Sequence, residues 1–142
     1  MFKRYAHLQT LKLKIMDNKN YKCADIIKLE FQDRKETISD LFELKNDFAH
    51  CDDVAQAFNE FGLSIDYIEP NTFDDQKHGY WRYQLSYGGP SDELRYYLDD
   101  NKQLYKSEYC YKDWFDGAVI DVSDEPIIND LWYDFIEWTL PL

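Results

Sequence analysis

The chain has 142 residues, 44% of them hydrophobic, and 28 Asp and Glu against 16 Lys and Arg give it a formal net charge of -12. That length suits one domain burying its own core without metal or disulfide support, and that charge disfavours direct contact with nucleic acid or an anionic membrane while attracting basic partners. Three widely spaced cysteines, Cys23, Cys51 and Cys110, suggest neither a disulfide framework nor a metal knuckle; with no apolar run for a membrane span or signal peptide, a reducing cytoplasm is the expected location.

The charge is unevenly placed. Residues 1–22 sum to +5 and the remaining 120 to -17. Residues 1–31 are read either as a strand from Leu11 onward or as a helix, with a turn at Asp17-Asn18-Lys19-Asn20 and a short second element from Tyr21 to Phe31 that pairs with the first or begins a helix. Ile38, Leu41, Phe42, Leu44 and Phe48 recur at spacings of three and four, which predicts an amphipathic helix over Glu36–Phe48 with Asp33 as its N-cap. A second helix starts at Asp52 or Asp53 and ends at Gly62 in the left-handed conformation, making an antiparallel helical hairpin.

Strands follow. Leu63–Ile68 alternates and Pro70 stops it. After the polar loop Asn71–Gly79 comes the most legible stretch, Tyr80–Leu98, two strands joined by Gly88-Gly89-Pro90-Ser91. Trp81, Tyr83, Leu85 and Tyr87 share one face, expected to be buried under the last helix; Tyr80, Arg82, Gln84 and Ser86 share an amphipathic or wet one. A turn at Asp99–Lys102 leads to a strand over Gln103–Tyr111, with Tyr105, Tyr109 and Tyr111 on one face and Lys106 and Glu108 on the other. Asp113–Gly117 bends the chain into a short strand, Ala118–Val122. Ser123 or Asp124 then caps a helix whose apolar stripe is Ile127, Ile128, Leu131, Trp132, Phe135 and Ile136. The fold class is α+β in one domain spanning 1–142: a helical hairpin, an antiparallel meander of four or five strands, and a C-terminal helix on the sheet.

Motifs for chemistry are sparse. The Gly88-Gly89-Pro90-Ser91 run lacks the helix N-terminus or basic neighbour of a phosphate loop and reads as a hairpin turn. His50-Cys51-Asp52-Asp53, with or without His78, matches no zinc spacing, and Cys51 with His50 lacks the geometry of a nucleophile pair; His50 is expected to be exposed. No catalytic, metal or cofactor residue is assigned. The basic N-terminal segment is expected to pair internally or with a second subunit of a homodimer.

What remains is acidic and aromatic. Residues 72–142 hold 15 carboxylates, six basic side chains and 16 of the 25 aromatics. Carboxylates two apart on a strand stand roughly 6.5–7 Å apart and those three or four apart on a helix about 5–6 Å, intervals at which a protein surface can imitate a nucleic-acid backbone. Asp130, Asp134 and Glu137 fit the helical version. Asp92, Glu93, Asp99, Asp100, Asp113 and Asp116 are the candidates in and beside the sheet turns. The bland reading is a solvated helix face and turn-favouring aspartates.

The stretch Gly79–Glu93, followed by Asp113-Trp114-Phe115-Asp116-Gly117-Ala118, resembles small acidic accessory proteins of plasmids and phages, some of which counter restriction or CRISPR systems. The resemblance spans roughly residues 55–138. It implies a mobile-element accessory role, and with the acidic-aromatic surface the first expectation is a non-enzymatic anti-restriction or anti-CRISPR inhibitor, a DNA mimic bound to the basic nucleic-acid surface of a defence nuclease. Two other readings stay open: an immunity protein for a cognate toxin, and an enzyme with a non-local site near His78, Cys110 or clustered carboxylates.

Overall fold

The computed structural model describes residues 2–18, 20–47 and 51–141, and of these the side chains other than those of 2–5, 45–47 and 51–55. The basic N-terminal segment is helical: α1 covers Phe2–Met16 and α2 runs unbroken over Cys23–Asp47. The reason α2 begins so early lies far along the chain. The Cys23 N–H donates to the Asp116 carboxylate at 2.6 Å, so one of the orphan donors at its start is met by a residue 93 positions away. Asp33, expected as an N-cap, is instead an interior helical residue that accepts from Lys12 Nζ at 2.8 Å, and Glu30 lies 3.3 Å from the same ammonium. Glu30, Asp33, Arg34 and Lys35 are interior helical positions whose charges have partners on other elements.

Helix α3 spans Cys51–Phe61 and packs on α2. Gly62 ends it, although not in the left-handed region as expected: a Cβ there would overlap the Tyr83 ring, so the glycine admits a side chain from the sheet. His50 lies outside the described residues.

Five strands, β1 Ser64–Ile68, β2 Tyr80–Ser86, β3 Ser91–Leu98, β4 Leu104–Asp113 and β5 Asp116–Asp121, form an antiparallel meander in chain order. Two bulges reset the simple alternation. Gln84 pairs with Glu93 but Ser86 with Asp92, so Leu85 is an extra residue and Ser86 turns to the same face as Asp92. Tyr87 then leaves the sheet, and the expectation that it is buried beside Leu85 is corrected: it is 85% exposed. Tyr97 pairs with Lys106 and Leu98 with Leu104, which makes Tyr105 the extra residue of β4. It therefore does not share the buried face of Tyr109 and Tyr111; it is exposed, its ring 6.2 Å from that of Tyr97.

The helices cover one sheet face. Ile26, Ile27, Phe31 and Ile38 of α2, Phe58 of α3, and Tyr83, Leu94, Tyr96 and Tyr109 of the sheet meet Ile128, Leu131, Trp132 and Ile136 in the main core. Trp81 is half-buried against this core, its ring 5.2 Å from that of Tyr67.

The second face, expected to be amphipathic or wet, is lined by long side chains paired with one another. Tyr80 and Gln84 are buried. Arg82 grips Asp66 through two bonds of 3.0 and 2.7 Å, Arg95 bonds Glu93 at 2.9 Å and lies over the Tyr80 ring, and Tyr97 donates to Glu108. The loop between β1 and β2 reaches across this side, with Phe73 5.7 Å from Lys112 Nζ on β4. Among the described residues no helix is long and apolar enough to cross a membrane.

Candidate partner-binding surface

The C-terminal helix begins with Pro126 at its first turn and Glu125 at the N-cap, not Ser123 or Asp124, and it has no side-chain cap bond. Ser123 is used elsewhere: its hydroxyl accepts the Ser107 N–H of β4 at 2.9 Å. Helix α4, Pro126–Leu131, widens into a π turn over Trp132–Ile136 and tightens into a 3₁₀ turn over Glu137–Thr139. Its inner side is fixed by Ile128, Leu131, Trp132, Phe135 and Ile136, all buried, and by the Tyr96 hydroxyl donating to the Ile128 carbonyl at 3.0 Å. Burial of that stripe leaves one orientation for the other side. Asp130, Tyr133, Asp134, Glu137 and Trp138 are all exposed there, and Trp138 is 83% exposed.

Among the described residues, no side-chain hydrogen bond or ion pair holds the Asp130, Asp134 or Glu137 carboxylates. Six of the 16 cations are committed elsewhere. Lys12, Arg34, Lys35, Arg82, Arg95 and Lys106 pair with Asp33, Asp92, Glu125, Asp66, Glu93 and Glu108 respectively. The pairing of Lys12 accounts for part of the basic N-terminal charge within the chain. The outer face of the C-terminal helix is one of the places where negative charge keeps no ion-pair partner among the described residues.

The other expected carboxylates do not join this face. Asp92 and Glu93 are 3% and 5% exposed, which corrects their reading as a charged rim. Strand alternation sends them to opposite faces. Asp92 enters the core, where Arg34 of α2 donates twice, at 2.7 and 2.9 Å, and the Tyr109 hydroxyl donates at 2.6 Å; Gln84 Nε2 ties the Ser86 and Asp92 carbonyls across the bulge. Burial, with Asp92 beside it, pushes the Tyr109 phenol far up, so that its proton stays on oxygen and the network holds. Glu93 serves Arg95 on the second face. A buried carboxylate held this way cannot offer its charge to a partner.

Asp113 and Asp116 are half-buried at the β4–β5 turn. Asp113 accepts from the Tyr21 hydroxyl at 3.4 Å. The bond from the Cys23 amide, first among several, holds the Asp116 carboxyl below the usual carboxylate range, while burial, aided by Asp116, pushes the Cys23 thiol up to about 11. Gly117, read as the end of a bend, already belongs to β5. Asp99 is exposed yet accepts the Asn101 and Gln103 N–H groups at 2.8 and 2.9 Å, shaping its own turn. Asp100 is exposed beside it.

Two exposed aromatics on the acidic face, Tyr133 and Trp138, are not among the residues expected from sequence. They sit three residues after Asp130 and one after Glu137, on the solvent side of the helix, a pattern readable once the inner stripe is fixed. The groups considered for catalysis stay apart. His78 is exposed in the β1–β2 loop, and Cys110 is buried on the second sheet face, accepting from Arg95 at 3.4 Å with its thiol raised by burial. Among the described residues no cluster of three or more His, Cys, Asp or Glu has metal-binding geometry. Comparison with protein-family models, curated proteins and solved structures finds no match to this chain.

Proposed function

We propose that this protein is a non-enzymatic inhibitor that occupies a basic, nucleic-acid-binding surface of a bacterial defence nuclease through the outer face of its C-terminal helix. The observation that carries this reading is the row Asp130, Asp134 and Glu137, exposed and without ion-pair partners among the described residues, interleaved with the exposed rings of Tyr133 and Trp138. Carboxylates at helical spacing displace the counter-ions of a basic groove much as phosphates do, and aromatic rings add the apolar contacts that anchor protein interfaces. Asp99 and Asp100 are exposed at the β3–β4 turn and are not part of this row. The resemblance of Gly79–Glu93 and Asp113–Ala118 to acidic accessory proteins of mobile elements supports a nuclease of restriction or CRISPR type as the target.

The test is competition. Duplex DNA binding by candidate restriction and CRISPR nuclease complexes is measured with increasing inhibitor at several salt concentrations. Displacement of DNA, an affinity that falls steeply with salt, and its loss in the Asp130→Lys, Asp134→Lys, Glu137→Lys variant are expected. Salt-independent inhibition, or full inhibition by the triple variant, would contradict the mimicry.

A further inference from the structure

A second exposed aromatic group lies at one end of the sheet. Trp114 and Phe115 are the whole connection between β4 and β5, since Asp113 pairs directly with Asp116. Trp114 has φ 56°, a conformation that glycine or asparagine adopts readily and a bulky side chain does not. Both rings face solvent, Trp114 at 87% and Phe115 at 104% exposure. The β2–β3 turn is beside them, because Ser91 pairs with Lys112 and Lys112 with Gly117, and it carries the exposed Tyr87. Between the two turns is an open cleft of about 410 Å³ lined by Gly88, Gly89, Ser91, Lys112 and Trp114. A Cβ on Gly89 would meet nothing within 4 Å, so packing does not demand a glycine there, yet its absence of side chain keeps the cleft floor open. Neither the turn nor the core explains why tryptophan and phenylalanine occupy these positions.

The surrounding charge narrows what could dock. Phe73 stands against Lys112, the one charged residue lining the cleft among the described residues, which brings the exposed Asp74 and Asp75 to this end of the molecule; Asp113 and Asp116 flank the two rings in sequence but are already bonded to Tyr21 and Cys23. A second copy would present the same carboxylates and the same net charge of -12, so tip-to-tip association sets like charges together. An anionic membrane is disfavoured for the same reason. A cationic partner is complementary. We propose that the tip formed by Tyr87, Trp114 and Phe115 is a docking point for a protein segment that combines Arg or Lys with a large apolar side chain. The apolar side chain enters the cleft against the Trp114 indole, and the partner's cations meet Asp74 and Asp75 beside Phe73. This docking point uses residues other than those of the C-terminal helix and does not depend on them.

The experiment titrates the full chain with three short peptides, one of Arg and Leu, one of Glu and Leu, and one of Arg and Ser, alongside phosphatidylcholine vesicles, and follows self-association by sedimentation. The Arg/Leu peptide is expected to bind about tenfold more tightly than either other peptide. A Trp114→Asn, Phe115→Ser variant should reduce it to the Arg/Ser level with the thermal midpoint unchanged or raised, because asparagine relieves the left-handed turn. Loss of binding together with retained or higher stability separates docking from a structural role, and Phe115→Ser alone gives a smaller loss without touching the strained position. Arg/Leu binding that survives the double variant, equal binding of the Glu/Leu peptide, preferential capture by the vesicles, self-association that the variant abolishes, or loss of Arg/Leu binding in the Asp130→Lys, Asp134→Lys, Glu137→Lys background would each overturn the assignment.

Discussion

Asp92 and Asp134 are the same residue type in comparably acidic stretches, and the fold uses them in opposite ways. Asp92 is sunk between α2 and the sheet, bonded to a guanidinium and a phenol; Asp134 stands in solvent between an exposed tyrosine and an exposed tryptophan on the outside of the last helix. The count of carboxylates therefore says little about where a site is. Pairing says more: a carboxylate with a partner is consumed by the structure, and one without a partner is left to act on something else.

Removing Asp92 should have the largest effect on stability. Asp92→Ala leaves Arg34 and the Tyr109 hydroxyl without their acceptor, and the loss is expected at about 3 kcal/mol, towards the lower end for a broken buried pair because the guanidinium keeps some solvent contact. Urea unfolding measures it, and a loss no greater than that of a surface substitution would mean that the cluster is not a structural hub. Gly62→Ala comes next, at about 2 kcal/mol, because its Cβ must displace a Tyr83 ring already anchored by its hydroxyl on the Phe58 carbonyl. A thermal midpoint matching the parent would show that the ring yields freely.

Acid should sharpen the contrast. The folded-state pKa of Asp116 is lowered, so the cap it provides contributes fully above the ordinary unfolded value of about 4 and is lost as pH falls through the folded value. Asp116→Asn keeps a capping oxygen that does not titrate, so the decline of the thermal midpoint below about pH 4 should become shallower; parallel declines in parent and variant would dismiss the Cys23–Asp116 bond as a source of acid lability. The smallest effect belongs to the outer helix face. Each of Asp130→Lys, Asp134→Lys and Glu137→Lys should change stability by no more than about 0.5 kcal/mol, whatever it does to binding, and a cooperative loss of stability in the triple variant would place these residues in the scaffold instead.

Much of the fold was legible because local chemistry specified it. Pro70, the Gly88-Gly89-Pro90 turn, the Asp99–Lys102 turn and the apolar stripe from Ile128 to Ile136 each act over a few residues, and together they give the meander and the final helix. The candidate face was legible to the extent that Asp130, Asp134 and Glu137 fall opposite that stripe. Three things were not. The long α2 was hidden because its polar run has partners on α1 and on the sheet, and its cap comes from Asp116. The positions of Tyr87 and Tyr105 were misread because a bulge shifts the alternation by one residue, and no residue type announces a bulge unambiguously. Asp92 and Glu93 were read as surface charge because their burial depends on Arg34 and Arg95 arriving from elsewhere.

Sequence alone determined the order of strands, the closing helix, and the excess of negative charge in the chain, since hydrophobic period, turn residues and charge are local properties. Tertiary structure decided which of those charges are spent. A carboxylate is neutralised or left free by what the fold brings within about 3–4 Å of it, and for Asp92, Asp116 and the outer helix face that is set by residues tens of positions away.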